Sequence, residues 1–217
     1  MNQKVHMHAI LLHGMGRTPI AMSLLAARLK ANHIHPHLFA YSVTFERWEN
    51  CTSRLERFVR KHVKDDPYIM IGHSMGSVLT RAILPGLAHK PSACFFLTPP
   101  TRVCKVARTL TPNPLIKLLG GEFGQLLANE QFMDSLPSTG IPMKIYAGVA
   151  GPRGRYSPFG EELNDGVLTV QEASIPGIPL QMIPILHPFI MNSKIVTQDI
   201  IRITQSHDET IQRNPSR

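Results

Sequence analysis

The chain has 217 residues, of which 43% are apolar and 18% charged, and its formal net charge is +8. This length and balance exclude an intrinsically disordered chain and allow a real core. The longest apolar runs, such as Ala9 to Leu12, are far too short to span a bilayer. A single domain over residues 1–217 is expected. The three cysteines, Cys51, Cys94 and Cys104, are few and odd in number. Together with the absence of a cationic, apolar leader in the first eight residues, they point to a reducing, cytoplasmic setting rather than a disulfide scaffold.

In chain order, strands are predicted at His8–Leu12, His37–Tyr41, Tyr68–Ile71, Ala93–Leu97, Met143–Ala147 and Leu180–Leu186. Helices are predicted at Ile20–Ala31, Phe45–Val63, Met75–Leu87, Glu122–Asp134 and Phe189–Ile203. The second of these helices has Leu55, Phe58, Val59, His62 and Val63 at helical spacing among Arg54, Arg57, Arg60, Lys61 and Lys64. It reads as an apolar core face with a basic outer face. A solvated surface is the plain explanation of that charge, and peripheral contact with an anionic membrane is the alternative. Alternation of apolar strands with helices argues for a mostly parallel, doubly wound sheet of about six strands, covered on both faces. The stretch from Thr98 to Pro142 is the least regular and is broken by Pro99, Pro100, Pro112 and Pro114. A small flap over a site is one use for it.

Between the third strand and the third helix lies Gly72-His73-Ser74-Met75-Gly76. A serine between two glycines at a strand-to-helix turn is the pattern of a nucleophile elbow. The turn lifts the hydroxyl above the sheet, and side chains at Gly72 and Gly76 would collide with the adjoining strand or helix. An ordinary glycine-rich turn would look the same in isolation. A second motif, His13-Gly14-Met15-Gly16, follows the first strand. In a doubly wound sheet the first and third strands often lie side by side, so their C-terminal loops line one crevice. Backbone N–H groups of Met15 and Met75 could then hold an oxyanion. A phosphate loop is the competing reading of the glycines, but no G-K-[ST] or G-x-G-x-x-G pattern follows. Further on come Asn164-Asp165-Gly166, also a turn signature, and His187 at the end of the last strand. Serine, aspartate and histidine thus fall in the order that a serine-hydrolase triad needs in this architecture.

These segments together resemble bacterial α/β-hydrolases of the lipase and esterase kind, especially the small lipases with little or no lid. The likeness covers His8 to about Ile203. His13–Gly16 is similar to the family's H-G-x-G oxyanion loop, and Gly72–Gly76 to its G-H-S-M-G elbow. Asn164–Val170 (N-D-G-V-L-T-V) is similar to its acid loop, and His187 with Phe189-Ile190-Met191 to its histidine segment. The family's leading hairpin is missing. The resemblance implies an α/β-hydrolase fold, an acyl-enzyme mechanism with Ser74, Asp165 and His187 as triad, and Met15 and Met75 as oxyanion donors. It implies a small-molecule or lipid acyl ester as substrate, with a thioester or a catalytically silent binding protein as alternatives. No cofactor and no nucleic-acid partner are expected. No metal is expected either, because no cysteine or carboxylate in the sequence completes the trio His33, His35 and His37. Those histidines read as loop and strand-edge residues, His73 as a packing and hydrogen-bonding residue, and Cys94 as a buried, inert thiol.

Overall fold

The computed structural model describes residues 6–105, 114–137 and 140–213. Six strands form one sheet: β1 (His8–Leu12), β2 (His35–Phe39), β3 (Tyr68–His73), β4 (Ala93–Leu97), β5 (Met143–Gly148) and β6 (Leu180–Ile183). Their order is β2-β1-β3-β4-β5-β6, and every pairing is parallel. β1 and β3 are neighbours, as the motif argument requires, with Leu12 opposite Gly72. The loops after these two strands therefore leave the sheet side by side.

Side chains alternate along each strand and divide the core in two. Ile10, Leu12, Phe39, Met70 and Phe96 pack on one face, beneath the helices α2 (Trp48–Val63) and α3 (Met75–Ile83). Leu11, Ile69, Ile71 and Phe95 pack on the other, beneath α1 (Ser23–Ala31) and Lys194–Arg213, the C-terminal helix. Each such fully buried aliphatic side chain contributes roughly 1.5–3 kcal/mol. The amphipathic reading of α2 holds: Cys51, Leu55, Val59 and Val63 are buried four residues apart, while Arg57, Arg60, Lys61 and Lys64 are exposed.

Boundaries differ from expectation where proline and loop chemistry intervene. β2 runs two residues earlier than its apolar run suggested, because His35 donates its N–H to the Met7 carbonyl and opens the ladder there. β6 stops at Ile183, before Pro184, and α3 gives way at Leu84 to a 3-10 turn containing Pro85. Before α1, Pro19–Met22 is a 3-10 turn, and so is His187–Asn192 before the last helix. The predicted helix Glu122–Asp134 is two helices, α4 (Pro114–Leu127) and α5 (Glu130–Ser135). Asn129 divides them by capping α5, its side chain accepting the Phe132 N–H. The C-terminal helix, Lys194–Arg213, is α6. α4 bends at Gly121, whose φ of +54° brings its Cα against the Val43 carbonyl. The Thr98–Pro142 stretch is thus more helical than its prolines suggest; Pro112 lies outside the described residues.

Candidate active site

Ser74 stands between β3 and α3 with φ +50° and ψ −118°. A residue with a Cβ avoids that region, and a few kcal/mol at most separate it from the allowed wells. The neighbours enforce it. The Ser74 N–H donates to the Leu97 carbonyl at 2.9 Å, and the Ser77 N–H returns to the Ser74 carbonyl at 2.9 Å. Both glycines are steric requirements. A Cβ at Gly72 would lie 2.6 Å from the Ser77 nitrogen, and one at Gly76 would lie 2.6 Å from the Leu12 carbonyl oxygen. The elbow can approach β1 this closely only without side chains there.

Three further loops meet the elbow. The loop after β1 brings Gly14 so near that a Cβ there would sit 3.2 Å from the Ser74 Cβ and 2.7 Å from His73 Nδ1. Met15 follows directly, and Met75 opens α3, where N–H groups have no helical partner. Tyr41, two residues past β2, fixes this loop by donating its hydroxyl to the His13 carbonyl at 2.6 Å and stacking on the His13 ring.

Asp165 and His187 come from the loops after β5 and β6. His187 Nδ1–H donates to Asp165 Oδ2 at 2.7 Å, and the His187 N–H donates to the Asp165 carbonyl at 2.9 Å. With Nδ1–H committed in this way, a neutral His187 ring carries its lone pair on Nε2. The other carboxylate oxygen, Oδ1, accepts the N–H groups of Val167 at 2.9 Å and Leu168 at 2.7 Å. Asp165 is therefore a buried carboxylate with both oxygens satisfied. Gly166, at φ +94°, makes the turn that allows this.

His73 joins the two halves. Its Nε2–H donates to the His187 carbonyl at 3.1 Å, and the two rings lie 5.0 Å apart. Burial, and next the neighbouring His187, push its pKa down to about 3. His73 thus packs and hydrogen-bonds as expected, and serves as a neutral strut between the elbow and the histidine segment. Asp165 and His187 are directly bonded, whereas Ser74 reaches them through its neighbour His73. Among the described residues, no hydrogen bond links the Ser74 hydroxyl to His187.

Several contributors have weak sequence signals. Gly148 lets the β5 end pass Asp165, since a Cβ there would be 2.7 Å from the Asp165 Cβ. Gly151 has Asn164 Oδ1 where its own Cβ would be. Two glycines soon after a strand end, in Gly148-Val149-Ala150-Gly151, are the trace they leave in the sequence. About two helical turns beyond Ser74, the buried Arg81 borders a cavity of about 430 Å³ that includes Thr101, Glu130 and Met133 but no triad candidate.

No protein-family model and no curated protein matches the chain. Solved structures do. A mature lipase of Bacillus licheniformis, BlEst2, superposes with a TM-score of 0.72 at 15% identity, over 94% of this chain and 93% of that one. A member of the alpha/beta hydrolase superfamily from Xanthomonas campestris follows at 0.62 and 16%, over 92% and 98%. This chain has the α/β-hydrolase fold. A soluble variant of the monoglyceride lipase of Saccharomyces cerevisiae, in complex with a substrate analog, also shares the α/β-hydrolase architecture at 0.63 and 13%, over 96% and 88%. Among the described residues no helix is long and apolar enough to cross a membrane.

Proposed function

We propose that the chain is a serine hydrolase of carboxylic acyl esters, with Ser74 as nucleophile, His187 as general base and Asp165 as the orienting acid. The observation that carries this reading is the 2.7 Å bond between Asp165 and the far nitrogen of His187, beside a strained serine elbow. In the mechanism His187 Nε2 takes the Ser74 proton as the hydroxyl oxygen attacks the acyl carbonyl carbon. The carbonyl oxygen becomes an oxyanion held by the N–H groups of Met15 and Met75. His187 then gives its proton to the leaving alcohol as the ester C–O bond breaks. Water repeats the sequence on the acyl-serine, releasing the acid. Asp165 stays ionised and stabilises the imidazolium.

An apolar acyl or lipid ester suits the surroundings. Leu186 and Phe189 flank His187 and are exposed, and exposed Ile20 stands on the 3-10 turn that packs against the one bearing Phe189. The similarity to two lipases supports the same reaction class. The test is labelling with a fluorophosphonate probe, followed by peptide mapping. An adduct on the Ser74 peptide is expected, together with turnover of a nitrophenyl ester series that rises with acyl length. A silent fold would take no label. Label on a different serine would overturn the assignment, and preferential turnover of matched thioesters would move the substrate class.

A further inference from the structure

Five imidazole rings gather at the N-terminal end of β1 and β2, the pole of the sheet opposite Ser74. His8 opens β1, and His35 opens β2 directly across from it, with His37 two residues on. The period of two turns all three toward α2, where His62 meets them. Ring centroids are 4.9 Å apart for His6 and His35, 5.6 Å for His8 and His35, 5.1 Å for His8 and His37, and 4.6 Å for His37 and His62. The proposed triad uses none of these residues.

The nitrogens are ordered by their partners. His8 Nε2–H donates to Asp66 Oδ2 at 3.3 Å, which leaves Nδ1 as an acceptor for His37 Nε2–H at 2.8 Å. His62 Nδ1–H donates to the Phe58 carbonyl at 2.8 Å, so its Nε2 carries a free lone pair. A carboxylate or a carbonyl on the far nitrogen is what orients metal-bound histidines and raises their basicity. His8 has the first and His62 has the second.

We propose that His8 Nδ1 and His37 Nε2 form a binding site for a first-row divalent ion of the kind imidazole prefers, such as Zn²⁺, Ni²⁺ or Cu²⁺. Zinc–nitrogen bonds of about 2.0–2.1 Å put two ligand nitrogens roughly 2.9–3.4 Å apart for angles between 90° and tetrahedral. The two nitrogens face each other at 2.8 Å, so the rings part by up to about half an ångström and each pivots to turn its lone pair toward an ion beside that axis. The shared hydrogen bond breaks, the ion binds both lone pairs, and His37 gives its Nε2 proton to solvent while its Nδ1 takes one up, so both rings stay neutral. Among the described residues no three such side chains already converge on one point. Water, or His62 after a ring rotation, completes the shell. Lys30, near enough to His35 to act on it, opposes a cation there; Asp66 acts the other way. An ion so held ties β1 to β2 without touching the elbow.

The experiment uses the full chain without an affinity tag, stripped with a chelator and then titrated with zinc chloride. Calorimetry and thermal melts are run on the parent and on His8→Gln, His37→Gln, Asp66→Asn, His89→Gln and His187→Gln. One equivalent should bind, and Tm should rise by roughly 5–10 °C at about a hundredfold excess over Kd. His8→Gln and His37→Gln should lose the shift. Asp66→Asn should weaken binding about 10- to 100-fold. His89→Gln and His187→Gln should keep both binding and shift. The half-buried His37 keeps the test decisive even if the His8 variant does not fold. No zinc-dependent shift in the parent, an undiminished shift in His37→Gln, or loss of the shift only in His187→Gln would overturn the site.

Discussion

Acid should destabilise this protein through His73. The ring is 2% exposed, and its Nε2–H is committed to the His187 carbonyl. A second proton would have to enter at Nδ1, which has no hydrogen-bond partner and faces the Cα of Gly14. The folded pKa is accordingly pushed down to about 3 from an ordinary 6.5. Below pH 6.5 the unfolded chain takes up a proton here and the folded chain does not, so stability falls as pH falls. The contribution is fully present above about pH 6.5 and is lost progressively toward pH 3. At about 1.4 kcal/mol per pH unit the full window is worth on the order of 5 kcal/mol, and the step from pH 6.5 to 4.5 about 3 kcal/mol. His73→Gln keeps an amide N–H near the position of Nε2 and cannot titrate. Urea unfolding of both proteins at pH 7 and pH 4.5 isolates the effect, because carboxylates and other histidines cancel in the difference. The parent should lose about 2–3 kcal/mol more than the variant between the two pH values. Equal losses would refute the argument that this ring is held neutral by burial.

Three further outcomes follow from the site. Ser74→Ala should lower ester turnover on the order of 10⁶-fold, whereas Ser74→Gly, equally inactive, should be more stable than the alanine variant by about 1 kcal/mol in chemical denaturation, since glycine tolerates φ +50°. Asp165→Asn should cost about 10³- to 10⁴-fold in turnover, against less than about tenfold for Glu161→Gln and Glu162→Gln, whose carboxylates are exposed; initial rates at one pH make the comparison. Gly76→Ala should reduce soluble expression and lower stability by more than about 3 kcal/mol in thermal melts, because its Cβ would meet backbone atoms of Leu12 and His13, which cannot swing aside.

Strand number, parallel pairing and the adjacency of β1 and β3 were legible because apolar runs and helical periods are local signals. The glycines of the elbow were legible from their spacing around the serine, although only the collision at Gly72 is local and the one at Gly76 is with Leu12 and His13 of the neighbouring strand and its loop. Asp165 and His187 could be named from their order and context. Their bond depends on Gly148 and Gly151, whose task is to leave space, and an empty volume has no residue pattern of its own. The strut made by His73 depends on His187, 114 residues away. The histidine cluster was hidden for a related reason. His33, His35 and His37 are close in sequence, yet His33 lies in the loop before β2 at φ +61°, while His8, His62 and Asp66 arrive from three other segments. A carboxylate sought beside the trio in sequence was present beside it only in space.

The two outer strands decide how the molecule meets its own copies. A sheet that does not close has unpaired N–H and carbonyl groups along both rims, and such rims recruit strands from other chains. Since the His35 N–H points inward to Met7, alternation turns the N–H positions of residues 36 and 38 outward. Residue 36 is a proline and has no hydrogen to offer, so the β2 rim keeps a single central donor, on Leu38. The opposite rim is only four residues long and is bracketed by Pro179 and Pro184. Both rims are therefore poor templates for cross-β growth. An apolar sheet of this kind can stay dispersed at high concentration, and replacing Pro36 with a β-branched residue would be the shortest route to fibres.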